Sequence, residues 1–276
     1  MTFEVAHSVP ELRRRRHGAS TRLLRSSAQR SLAVALLGLG LLAGCSGDDG
    51  GGAEGERTEL VVLGATSLTN AFGEMEAGFE DANPDVDLVF TFDSSSTLAG
   101  QVAEGGPAGV LATADEATMA TAVDSGEVAG DPVLFAANTG VLAHPVGNDT
   151  VTAPEDLEDD SVVLAVCAPE VPCGVVARSV FEALGIDPQI DSEEENVGAV
   201  LTKLEADEID AGVVYVTDDL ASDAVEAIPL PDDVVVTTDY PIVAVEDSDA
   251  AQAFVDYVTG PEGQAVLEAA GFAPAP

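Results

Sequence analysis

The chain has no tryptophan, three cysteines and three histidines, and its 276 residues include only ten lysines and arginines against 50 aspartates and glutamates. Seven of the ten cations (Arg13 to Arg16, Arg22, Arg25 and Arg30) precede Ser31, leaving Arg57, Arg178 and Lys203 for everything that follows. A surface that binds nucleic acid or anionic lipid headgroups needs clustered Lys and Arg, so a formal charge of -40 argues against both. Histidine is as restrictive. Beyond residue 44 only His144 remains, which excludes a His-rich metal site. A Ser-His-Asp hydrolase would have to place that one imidazole beside a nucleophile, and there is no G-x-S-x-G elbow to supply one. Acid clusters such as Glu193-Glu194-Glu195 and Asp218-Asp219 could chelate a hard cation, but in so acidic a chain they read as solvated surface.

The early cations belong to an export signal: a basic segment, the apolar run Leu32 to Leu42, then Leu42-Ala43-Gly44-Cys45. The last four residues resemble the lipobox of bacterial lipoproteins, which implies acylation of Cys45. Residues 1–44 are then a lipoprotein signal peptide. Residues 45–58, rich in Gly and Asp without apolar periodicity, form a flexible tether to the outer face of the membrane. A plain transmembrane anchor is the alternative, and the apolar run is short of the ~20 residues a span needs. Loss of seven cations with only Glu4 and Glu11 leaves the remainder five charges more negative, a surface that stays soluble in high salt.

A hydrophobic share of 46% with 22% charged residues describes a globular chain, long enough for one large or two modest cores. Leu60 to Gly64 reads as a buried strand. Leu68, Phe72, Met75 and Phe79 share one helical face, and Val86, Leu88, Phe90 and Phe92 alternate as a strand does. Apolar runs at Gly109–Thr113, Val133–Ala136, Gly140–His144, Val162–Cys167, Ala211–Val216, Val234–Thr237 and Ile242–Val245 predict further strands. Helices are predicted from Asp115 and at about 174–184, 197–206, 248–258 and 261–270. This alternation implies an α/β fold with parallel sheets, in which ligands sit where strands end and helices begin.

Those junctions carry hydroxyls. Asp93-Ser94-Ser95-Ser96-Thr97 stands between a strand and a helix, where side-chain donors, unpaired backbone N–H groups and the positive helix end together suit an anion. Alone, a serine run there is an ordinary N-cap. In company it says more. A-x-S-L-T-N at 65–70, F-x-S-S-S-T-L-A at 92–99, V-P-x-G at 171–174, N-V at 196–197 and G-x-V-Y at 212–215 follow one another in an order that resembles the periplasmic molybdate-binding component of ABC importers. The likeness spans about Glu59 to Phe272. It implies a two-lobed, type II periplasmic-binding-protein-like fold, each lobe a mostly parallel sheet flanked by helices, with the ligand cleft between them. Lobe one would be 59–137 plus 242–276 and lobe two 138–241. It further implies a monomer that hands molybdate, and tungstate as well, to an ABC permease and its ATPase, with no cofactor and no bare metal cation. Carried over by position, the ligand donors are the hydroxyls and amides of Ser67 and Ser95, the amides of Cys173 and Val197, and the phenol of Tyr215.

A cation-free site of this kind is physically sound. Molybdate at neutral pH has no proton, so it only accepts hydrogen bonds and every useful group must donate. Roughly seven charge-assisted bonds at about 1.5–3 kcal/mol each can offset the desolvation of the ion and the ordering of the lobes. Three positions depart from the family's habit. Cys173 replaces a common Ala, which keeps the backbone donor. Gly109 replaces a common Asp, read as a difference in lobe packing. Asp93, beside the serines, either faces solvent or caps the loop, or accepts the proton of a hydrogen phosphate. Cys167 and Cys173, with five residues between them including Pro169 and Pro172, are expected to form a disulfide that pre-organises the ligand loop. A redox pair or metal site is the alternative, without C-x-x-C spacing or a nearby His to favour it. Other tetrahedral oxyanions, sulfate or phosphate, are the rival ligands, and an extracytoplasmic serine hydrolase is the rival from another class.

Overall fold

The computed structural model describes residues 57–276 apart from Asp232. The export segment, Cys45 and the tether as far as residue 56 lie outside the described residues. Strand β1 (Thr58–Ala65) runs through a 3-10 turn at Thr66–Leu68 into α1 (Thr69–Ala82), and β2 (Val86–Asp93) into α2 (Ser95–Ala103). β1 and β2 are parallel and in register to their ends, Ala65 opposite Asp93, so their two hydroxyl-bearing exits emerge side by side. β3 (Val110–Ala112) flanks β1 on its other edge and leads to α3 (Glu116–Ser125). Side chains of β1 are buried on both faces, Leu60 and Val62 toward one core and Leu63 toward another, as expected of a central parallel strand covered by helices on each side.

The long strand β4 (Val133–Pro145) then changes company. Val133–Thr139 pairs antiparallel with β9 (Thr237–Ala244), whereas Gly140–Ala143 pairs with β7 (Ala211–Tyr215). Beyond it lie β5 (Leu164–Cys167), α4 (Pro172–Leu184), β6 (Ser192–Glu194), α5 (Val197–Glu205), α6 (Val216–Ala221) and β8 (Val225–Ala227). The order is β2-β1-β3-β9-β4-β7-β5-β6, with β8 added to β4. Parallel pairs occupy both flanks and antiparallel pairs the middle, so the sheet is mixed where the apolar runs predict parallel strands. Helices α7 (Asp249–Thr259) and α8 (Pro261–Ala269) return to pack beside α1.

Two separate groups of buried side chains result. Residues 142–228 form one core, and residues 60–136 with 240–272 form the cores on the two faces of the other part of the sheet. Each strand is one piece where the sequence suggests two: the runs Val133–Ala136 and Gly140–His144 are both β4, and of Val234–Thr237 only Thr237 joins β9, which continues to Ala244. Gly109 packs its backbone against Leu60, whose Cδ1 would lie 2.3 Å from an added Cβ, so an Asp there would not fit this packing.

Candidate functional site

Four helices aim their N-termini at one point. The 3-10 turn before α1 carries Ser67; Ser95 and Val197 are the first residues of α2 and α5; Cys173 is the second residue of α4. An amide so early in a helix has no acceptor inside that helix. Those further along the first turns are already claimed: Thr97 N–H by Ser94 Oγ at 3.1 Å, Ala199 N–H by Asn196 Oδ1 at 3.1 Å, and Gly174 N–H by Val171 O at 3.0 Å. The amides of Ser67, Ser95, Cys173 and Val197 are among those left over, and the partial positive charges of the helix ends add at the same place.

A small cavity of about 20 Å³ occupies that point, lined by Ser67, Ser95, Cys173, Val197 and Tyr215 together with Asp93 and Asn196 among others. All five predicted residues therefore meet. The space suits a small ion rather than an organic substrate. Tyr215, at the end of β7, is 1% exposed, and its Oη has no hydrogen-bond partner in the protein. A buried hydroxyl left unpaired is costly, so a phenol kept in this state implies a partner that comes from outside. Burial also pushes its pKa well above the ordinary value, which keeps it a donor.

The serines are braced from behind. Ala114 N–H donates to Ser95 Oγ at 2.9 Å, and Ser67 Oγ lies 2.8 Å from the Oη of Tyr240 on β9. Tyr240 sits inside a strand and in no motif. Its only advance signal is a phenol just ahead of the apolar run Ile242–Val245, a tip that needs a partner once buried. On the opposite wall, Cys167 and Cys173 form the expected disulfide with Cα atoms 5.6 Å apart. Arg178 reaches back from α4 to the carbonyls of Cys167 and Gly174, both at 3.3 Å, while holding Glu193. Gly174 is obligatory here, because a Cβ would stand 1.8 Å from the carbonyl oxygen of Ala168.

Asp93 lines the cavity, and its Oδ1 accepts from Ser94 N–H at 2.6 Å and from Asn196 Nδ2 at 3.3 Å. It thus caps its loop, as one sequence reading has it, and also reaches across to α5. Ser96 Oγ likewise donates across to Glu170 O at 2.9 Å. Cations stay away. Arg57 pairs with Glu80 and Asp87, and Lys203 with Glu194. The two acids Glu193 and Glu194 are thereby engaged in ion pairs, and the described residues hold no His/Cys/Asp/Glu group fit for a metal ion. His144 is far from nucleophilic duty, its Nδ1 lying 2.6 Å from the carbonyl oxygen of Asn148.

Residues 60–273 match the family of bacterial extracellular solute-binding proteins. The chain belongs to that family. This solute-binding protein is 36% identical over 228 residues to the molybdate-binding protein ModA of Mycobacterium bovis, covering 81% of its own length and 87% of the relative's. It is 33% identical over 246 residues to the protein of the same name from Escherichia coli, at 80% and 91% coverage. In fold it is similar to the periplasmic molybdate-binding protein of Azotobacter vinelandii, with a TM-score of 0.66 at 20% identity over 79% of this chain and 100% of that one. The resemblance read from the five motifs holds. The family is extracellular, which puts this solute-binding protein outside the cytoplasmic membrane. Among the described residues no helix is long and apolar enough to cross one.

Proposed function

We propose that this protein captures molybdate, and tungstate with it, outside the cytoplasmic membrane and delivers the ion to an ABC permease and its ATPase. The observation that carries the reading is the unpaired, buried phenol of Tyr215 in a cavity ringed by helix N-termini and free of Lys and Arg. A tetrahedral dianion without a proton needs donors on all sides and no acceptor, which is the chemistry these groups offer. Ser67 and Ser95 hold it with hydroxyl and amide, Cys173 and Val197 with amides, Tyr215 with its phenol. The relatives' printed names supply molybdate.

In this reading residues 59–137 plus 242–276 are lobe one and 138–241 lobe two, joined by β4 and β9, and the ion bridges them. Closure about those strands makes the shape that docks on the permease. Cys45 carries the lipid anchor, the tether ends near residue 58, and the protein acts as a monomer without catalysis. Against a hydrolase stands the fact that both serine hydroxyls face hydrogen-bond partners that are not bases. Asp93 favours one second reading, a hydrogen phosphate whose proton it accepts.

Calorimetric titration with molybdate, tungstate, sulfate and phosphate is the test. Tight one-to-one binding of the first two with little response to the others is expected. Tight phosphate binding, or no binding of any of the four, would overturn the assignment.

A further inference from the structure

A serine helps an anion only when its hydrogen is free, since the oxygen's lone pairs repel it. At Ser95 the backbone settles the matter: Ala114 N–H occupies the oxygen, and an amide cannot reverse its role. Ser67 has no such amide. Its Oγ faces the hydroxyl of Tyr240, and between two hydroxyls either can donate. The surroundings of Tyr240 decide. Its ring is fully buried, packed edge-on against Phe135, Tyr215 and Phe272, and burial raises its pKa so that the proton stays. That proton needs an acceptor. The one hydrogen bond of normal length and angle at its hydroxyl is the 2.8 Å contact with Ser67 Oγ, which is therefore the acceptor placed for that proton.

We infer that Tyr240 is a positioning residue of the oxyanion site: its phenol donates to Ser67 Oγ, which commits the Ser67 hydrogen to the bound anion. The inference rests on the ligand proposed above. With each serine oxygen taking a hydrogen bond from behind, Ser67 and Ser95 turn their hydrogens to the cavity, which favours an anion without a proton of its own.

The test is a double-mutant cycle on molybdate affinity in the purified protein. Tyr240→Phe keeps the ring, and weakens binding by about 10- to 100-fold. Ser67→Ala weakens it at least as much. Combining the two is expected to cost nothing beyond Ser67→Ala, because Tyr240 acts only through Ser67. In the Ser67→Ala background the phenol is an orphan, so removing it leaves a protein that melts no lower and can always be titrated. Wild-type affinity in Tyr240→Phe, or a double variant weaker than Ser67→Ala, would overturn the inference and leave the oxyanion reading intact. A wild type that binds neither molybdate nor tungstate would remove both.

Discussion

The two parts of the sheet are filled by different chemistry. Around β1, β2 and β9 the core is aromatic: Phe254 meets Phe72 and Phe79 edge-on, at centroid distances of 5.6 and 5.2 Å, and Phe135, Phe272 and Tyr240 continue the array. Around β5 and β7 it is aliphatic, built on Val166, Val176, Val180, Val200, Val213 and Val214, with Phe181 and Tyr215 as its large rings. That side adds a disulfide and an arginine brace instead. On the proposed reading the difference follows what each side would lend to the ligand. The aromatic side contributes two serine side chains whose rotamers must be held, and Tyr240 is at once part of its core and the brace of Ser67. The aliphatic side contributes mainly backbone amides, and fixing a loop fixes them.

The largest break comes from the aromatic side. Phe254→Ala empties a fully buried site and is expected to lower unfolding free energy by about 3–5 kcal/mol in a urea titration. Next is Asp218, which is buried beside the aliphatic side's phenol and accepts from Tyr215 N–H at 2.9 Å. Desolvation raises its pKa to about 7. The folded state thus keeps a proton that the unfolded state has lost, and Asp218 costs stability increasingly as pH rises from about 4 to 7. Asp218→Asn retains an acceptor for the amide, so its melting temperature should gain on wild type across that window, by at most about 4 kcal/mol in stability. Glu80 and Glu194, held below their ordinary values by Arg57 and, against burial, Lys203, slope the other way in both proteins and cancel in the comparison.

Smaller again, Tyr215→Phe should weaken molybdate binding by about 1.5–3 kcal/mol while leaving the ligand-free protein as stable or more so, since the lost hydroxyl has no partner to miss. Replacing Cys167 and Cys173 by Ala removes a short cross-link and is expected to cost about 2 kcal/mol at most, with the Cys173 amide still present. Its mark should be a loss of affinity with little change in the aromatic side's near-ultraviolet dichroism.

Much of this was legible before any coordinates. Caps announce helices α2, α3, α5 and α7, through Ser94, Asp115, Asn196 and Ser248, and each of them takes a first-turn amide in the structure. The five proposed site residues, which line one cavity, are readable because each sits at the end of a strand or the start of a helix, where spacing is local. What escaped is non-local. Asn138-Thr139-Gly140 looks like a break in a strand, yet Asn138 is buried and satisfied by Thr217 and Thr139, and the strand passes through while trading β9 for β7. Pro241 likewise argues against a continuous β9. α6 begins directly after β7, with no turn residue to mark it. Tyr240 and Asp218 take their roles from partners 173 residues away in one case and from burial in the other.

The ion pairs of Arg57, Arg178 and Lys203 have a consequence for kinetics. With each of these three cations held at an acid, little outside the cavity's helix ends offsets the field of a chain carrying -40, and a doubly negative ion must approach uphill before it reaches them. Salt shortens the reach of that field to ~8 Å at physiological ionic strength. Association in a stopped-flow experiment should therefore quicken as salt is added, while dissociation from the closed cavity stays nearly constant.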